Sequence, residues 1–186
     1  MNIIKTTLIV TLLALLAACG GEDNAARNSG KTFSINGAFG IKLNTVDKNL
    51  PEGYVSENMA IVFTPDIEDK RFVKYEYSTT PKSHVIYGIT VKSPRELAKA
   101  SCLEQRDQLI EKTLNTLGTS PQFKVSKGES KWKIREHNQR QITIECEQSV
   151  SPQNLQLVMV YQDTSLSVMA FKEWKKRQDE IMLIRF

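Results

Sequence analysis

Apolar and polar residues change period along this chain in a definite order: strands, a helix, strands again. From Phe72 to Ser78, Val73, Tyr75 and Tyr77 fall on alternate positions, and from Ser83 to Val91 so do Val85, Tyr87, Ile89 and Val91. Period two predicts half-buried antiparallel strands. Thr79-Thr80-Pro81-Lys82 between the two runs supplies turn chemistry, so the pair reads as a hairpin. The period then lengthens. Ser93-Pro94-Arg95-Glu96 has the form of a helix start, with Ser93 as N-cap, Pro94 at the first helical position and Glu96 at the third. Over Leu97 to Leu117, Ala98, Cys102, Leu109, Thr113 and Leu117 form one stripe, widened by Ile110 and Leu114. Glu104, Arg106 and Lys112 are expected around its polar side. Gly118 closes the helix, with Pro121 just beyond.

Shorter runs flank this centre. Phe39 to Leu43 and Met59 to Phe63 read as short strands, separated by a polar stretch with Pro51 and Gly53. After the helix come Gln122 to Ser126, Lys131 to Glu136, Gln141 to Gln148 and Asn154 to Gln162. In Gln141 to Gln148, Ile142, Ile144 and Cys146 share one face, while Thr143, Glu145 and Glu147 share the other. Leu166 to Phe186 is open to two readings: a helix with Phe171, Trp174, Ile181 and Met182 on its stripe, or a last strand, Leu166 to Ala170, before that helix. Its basic residues Lys172, Lys175, Lys176 and Arg177 are either solvated or laid on anionic lipid; Asp179 and Glu180 interrupt them, which favours a helix packed on the domain. The order predicts an α+β fold over residues 32–186: an antiparallel sheet with one or two helices packed on one face.

The first residues follow a different rule. Lys5 is a lone basic residue before an apolar run through Leu15, and Ala17 and Ala18 precede Cys19. The run has no polar face and is too short for a permanent span, which is the layout of a secretory signal. Leu16-Ala17-Ala18-Cys19-Gly20 resembles a bacterial lipobox. The resemblance implies cleavage between Ala18 and Cys19 and acylation of Cys19, leaving a signal peptide over 1–18. Several acyl chains give a stable membrane anchor where one gives only a marginal one. Gly20, rather than Asp, follows the cysteine, which in the lipoprotein sorting pattern implies an outer membrane location facing the periplasm. Residues 20–31, GGEDNAARNSGK, carry no apolar period and read as a flexible tether with a root-mean-square reach of about 20 Å.

The chain has three cysteines, an odd count for an exported protein. Lipid on Cys19 leaves Cys102 and Cys146 as a pair. An oxidising compartment favours their disulfide over two free thiols, and the bridge would staple the helix to the sheet.

Composition narrows the functional classes. The chain is 40% hydrophobic and carries a formal charge of +4, enough apolar residues for a core and too little scattered basicity for a nucleic-acid footprint. Only two histidines occur, His84 and His137, on separate turns, which makes no metal set. Glu145 and Glu147 could flank a sugar but read more simply as a solvated strand face. Asp66-Ile67-Glu68-Asp69 lacks calcium-loop spacing, no glycine-rich phosphate loop occurs, and no catalytic set or cofactor is indicated. The expected function is a non-catalytic binding module of the cell envelope, held to the membrane through Cys19, with an envelope protein as partner. Three alternatives stay open: an inhibitor or immunity lipoprotein against a lysozyme-like or toxin enzyme; a periplasmic hydrolase using Glu145, Glu147 or His137; and a lipid carrier with Tyr75, Tyr77, Tyr87 and Ile89 around a cavity.

Overall fold

A computed structural model describes residues 34–51, 60–118, 120–137, 139–149 and 154–184, with the side chains of 181–184 left out. The expected signal, Ala18, Cys19 and the tether lie outside the described residues. In chain order the elements are β1 (Gly37–Ala38), β2 (Ile41–Lys42), β3 (Ile61–Val62), β4 (Lys74–Thr79), β5 (Ile86–Lys92), β6 (Leu97–Ala98), α1 (Lys99–Leu117), β7 (Phe123–Lys127), β8 (Lys131–Glu136), β9 (Arg140–Gln148), β10 (Asn154–Asp163) and α2 (Thr164–Ile184). The fold is α+β. One antiparallel sheet runs in the order β3-β4-β5-β10-β9-β8-β7, β6 pairs the start of β10, and β1 and β2 form a separate ribbon.

Strand register explains the core. Leu157 stands opposite Cys146, Met159 opposite both Ile144 and Val91, and Tyr161 opposite both Ile142 and Ile89. Opposed residues share a face, so one sheet face collects Tyr75, Tyr77, Ile89, Val91, Leu157, Met159, Ile142, Ile144 and Ile134, all buried. Each such aliphatic side chain contributes about 1.5–3 kcal/mol through burial. The other face is charged. Glu76 lies between Lys74 (2.7 Å) and Lys92 (3.4 Å), and Glu145 meets Lys131 at 2.5 Å.

Helix α1 packs on β9 and β10 over the apolar face. Cys102 and Cys146 form the expected disulfide, with S–S 2.10 Å and Cα atoms 6.1 Å apart. Gly118 ends the helix at φ 73°, and its N–H donates to Leu114 O at 2.9 Å, as a C-terminal glycine should.

Two details of the expected helix are corrected. It starts at Lys99, with Ala98 in the cap position and no side-chain cap. Leu97 and Ala98 pair instead with Leu155 and Asn154. Ser93 is wholly buried; its hydroxyl donates to Pro94 O and accepts the Leu157 N–H, both at 2.9 Å. The sheet, at the start of β10, uses the residues that a local reading assigns to the helix. Arg106, expected on the polar side, is 5% exposed. Its guanidinium donates to Glu129 O in the β7–β8 turn (2.5 Å) and to the Asp107 carboxylate (2.7 and 2.9 Å), so burial leaves the charge paired.

The hairpin β4–β5 is also as expected except at one point. The pairing shifts between Ser78 and Thr79, so Ser78 faces Gly88 while Thr79 faces Ile86. The extra residue, Tyr87, leaves the face of Tyr75 and Tyr77 and bonds Ser78. Val73 lies before the strand and is exposed. At the C-terminus the helical reading holds from the first residue: Asp163 ends β10 and its carboxylate accepts the Leu166 N–H at 3.1 Å, an N-cap bond that starts α2. Helix α2 touches β5 and β10, and Glu173 accepts the Lys82 N–H of the hairpin turn at 3.1 Å. Among the described residues no helix is long and apolar enough to cross a membrane.

Candidate ligand cavity

The core is not filled everywhere. Between the second half of α1, the sheet and residues 34–39 lies a cavity of about 250 Å³. Its floor is Ile142, Met159 and Tyr161, which the strand register places on one face. Its roof is Leu109, Thr113 and Leu117, one i, i+4 row of the helix.

Residues 34–39 supply the third wall, and specific polar contacts hold them there. Glu136 accepts the Ile35 N–H (2.8 Å) and the Ser34 hydroxyl (3.0 Å), and Arg140 donates to Ile35 O (3.3 Å) and to the Asn36 side chain. Gly37 has φ 147°, and a Cβ there would lie 2.1 Å from Ile41 O, so the β1–β2 ribbon requires glycine. Phe39 follows at φ 56°, a left-handed conformation uncommon for a bulky residue. It is retained by edge-on contacts to Phe72, Tyr75 and Tyr161, with ring centroids 5.4–6.4 Å apart.

The lining is mostly apolar; besides Ser34 and Thr116, whose hydroxyls donate to Glu136 and to Lys112 O, it has three polar features. Thr113 turns its hydroxyl back to Leu109 O (2.7 Å) and offers nothing to the space. At the rim, Asp69 is bound by Arg71 (2.5 and 2.8 Å) and lies 3.8 Å from Lys112, whose side chain is 71% exposed. The hydrogen bonds from Arg71 hold the Asp69 carboxyl below the usual carboxylate range. Tyr161 is the third feature. Burial pushes its phenol up to about 12, and among the described residues its hydroxyl has no hydrogen-bond partner.

The residues singled out from the sequence stand elsewhere. Tyr75 exchanges hydrogen bonds with the Asp69 backbone (3.0 and 3.1 Å), Tyr77 donates to the Asp47 carboxylate, Tyr87 faces away, and Ile89 is packed without exposure. None of these four lines the cavity under α1. Glu145 is ion-paired on the charged face, Glu147 on the same face is exposed, and His137 lies in the β8–β9 turn at φ 44°. None of the three lines the cavity. His84 occupies another turn at φ 51°, and among the described residues no cluster of three His, Cys, Asp or Glu could hold a metal. Asp66 and Glu68 are exposed and separate from Asp69 in role.

Sequence reasoning missed Tyr161, Phe39 and the 34–39 wall. Tyr161 carried a signal, since it continues the alternation Leu157, Met159. The wall carried none, because Ser34 meets Glu136 of β8 across 102 residues of chain. Protein-family models, curated protein sequences and solved structures contain no match to this chain.

Proposed function

We propose that this protein is a lipid-anchored, non-catalytic binding module of the bacterial cell envelope, held through acyl chains on Cys19 and facing the periplasm from the outer membrane. One observation carries the reading. Of three cysteines, Cys102 and Cys146 are joined to each other, so the thiol outside the bridge is the one in Leu16-Ala17-Ala18-Cys19-Gly20. A disulfide also suits the oxidising compartment to which a secretory signal leads. The folded domain offers two surfaces for binding: the apolar cavity, and the outer side of α2, where Val168 and Phe171 are more than half exposed beside Lys172 and Lys175. Exposed apolar residues among lysines fit an envelope protein partner with an acidic, partly apolar surface.

The test has two stages. Intact mass of the protein recovered from membranes should correspond to a chain starting at acylated Cys19, and Cys19→Ala should lose the lipid mass and leave the outer-membrane fraction. A chain that keeps residues 1–18 or lacks acyl groups contradicts the anchor. In-cell crosslinking then reads the partner: one abundant envelope protein, weakened by Cys19→Ala, supports a protein-binding role, and self-crosslinks alone count against it.

A further inference from the structure

We propose that the cavity under α1 is a binding site for one medium-length alkyl chain ending in a hydrogen-bond acceptor, a ligand of the fatty-acid class. The inference gives the binding module a ligand, but it does not depend on the lipid anchor. Three observations converge on it. At about 250 Å³ the space exceeds the roughly 150 Å³ apolar cavity that admits benzene, so it is large enough for a short chain and smaller than most drug-sized pockets. Its walls are chiefly Ile35, Leu109, Leu117, Ile142 and Met159, which reward hydrocarbon and nothing more polar. Against them stands one phenol, Tyr161, half-buried and without a hydrogen-bond partner among the described residues. Its hydroxyl is a donor that no protein group takes up, so a ligand acceptor can bond it without displacing a protein partner.

The rim adds charge selectivity. Asp69 is already neutralised by Arg71 through two hydrogen bonds. Lys112, the more distant neighbour of Asp69 and largely exposed, is therefore the cation available to a carboxylate at the mouth. Phe39 also lines the space, held there by ring contacts to Phe72, Tyr75 and Tyr161 and by the Asp66 N–H on its carbonyl (3.4 Å).

The test is calorimetric titration of the full chain carrying Cys19→Ala with hexanoate, octanoate and decanoate, each below its micelle concentration. One-to-one binding is expected, tightening about fourfold per added methylene until the cavity is full, then levelling. Thr116→Trp, an exposed position on the cavity rim, should abolish binding without disturbing the fold. Tyr161→Phe, which removes a single oxygen, should weaken octanoate several-fold and keep the chain-length slope. In the acylated chain held in nanodiscs, unchanged octanoate affinity identifies a free fatty acid as the ligand; exclusion of octanoate identifies the protein's own acyl chain. No binding of any of the three acids, or binding that survives both variants, overturns the proposal.

Discussion

Asp69 and Glu76 show how single carboxylates tie this fold to pH. Hydrogen bonds from Arg71 lower the pKa of Asp69. Burial works to raise that of Glu76, but Lys74 and Lys92 together outweigh it. In both cases the folded state favours the charged form. Each group therefore adds stability that is complete above the ordinary carboxylate range and is lost as pH falls through its lowered folded value. The urea midpoint should hold steady from pH 7 to about 5 and drop below about pH 4, the unfolded carboxylate range. Asp69→Asn should flatten that drop; a midpoint that rises on acidification would contradict the pairing. These partners were not legible in the sequence. Asp69 sits in a run that reads as an exposed acidic loop, and its partner Arg71 is only two residues away, a spacing with no regular side-chain geometry to predict contact.

Helix α1 shows the competition between local preference and pairing. Ser93-Pro94-Arg95-Glu96 is a good start signal, yet the helix begins at Lys99 because Leu97 and Ala98 add backbone bonds to β10. Ser93 is thus a sheet residue. Ser93→Ala should cost about 1–3 kcal/mol, since the Leu157 N–H loses a buried acceptor. Hydrogen exchange should quicken at Leu157 while the amides of the second turn of α1 keep their protection. Faster exchange confined to α1 would return Ser93 to a capping role. The disulfide acts on the same element. It closes 44 residues of chain between helix and sheet, worth about 4 kcal/mol in the chain-entropy model. Cys102→Ser with Cys146→Ser should lower unfolding free energy in urea by that order, and a change under about 1 kcal/mol would mean that packing alone seats the helix.

The whole molecule divides into an apolar sheet face roofed by α1 and a charged face laced by ion pairs, with α2 leaving the end of β10. Stability should follow that division. Leu157→Ala, at a fully buried position under α1, should cost about 2–5 kcal/mol. Phe171→Ala, at 59% exposure on α2, should change stability by no more than about 0.5 kcal/mol. Comparable losses at both positions would show that α2 is bound more tightly than its exposure indicates. The same division leaves the cavity where α1, the sheet and the 34–39 segment meet, three surfaces with no shared local pattern.

Alternation and the turn to helical period determined by themselves the α+β class, most of the long strands and the faces that became the core, because burial on a two-layer domain follows periods of 2 and 3.6. The pairing of Cys102 with Cys146 also followed from residue counting, once the resemblance of Leu16-Ala17-Ala18-Cys19 to a lipobox set Cys19 aside. Only the tertiary structure decided the bulge that turned Tyr87 outward, the burial of Arg106, the transfer of Ser93 to the sheet and the cavity beside Tyr161. Each depends on groups far apart in sequence meeting at one place, and a side chain's role there is set by the partners it meets, which local pattern does not encode.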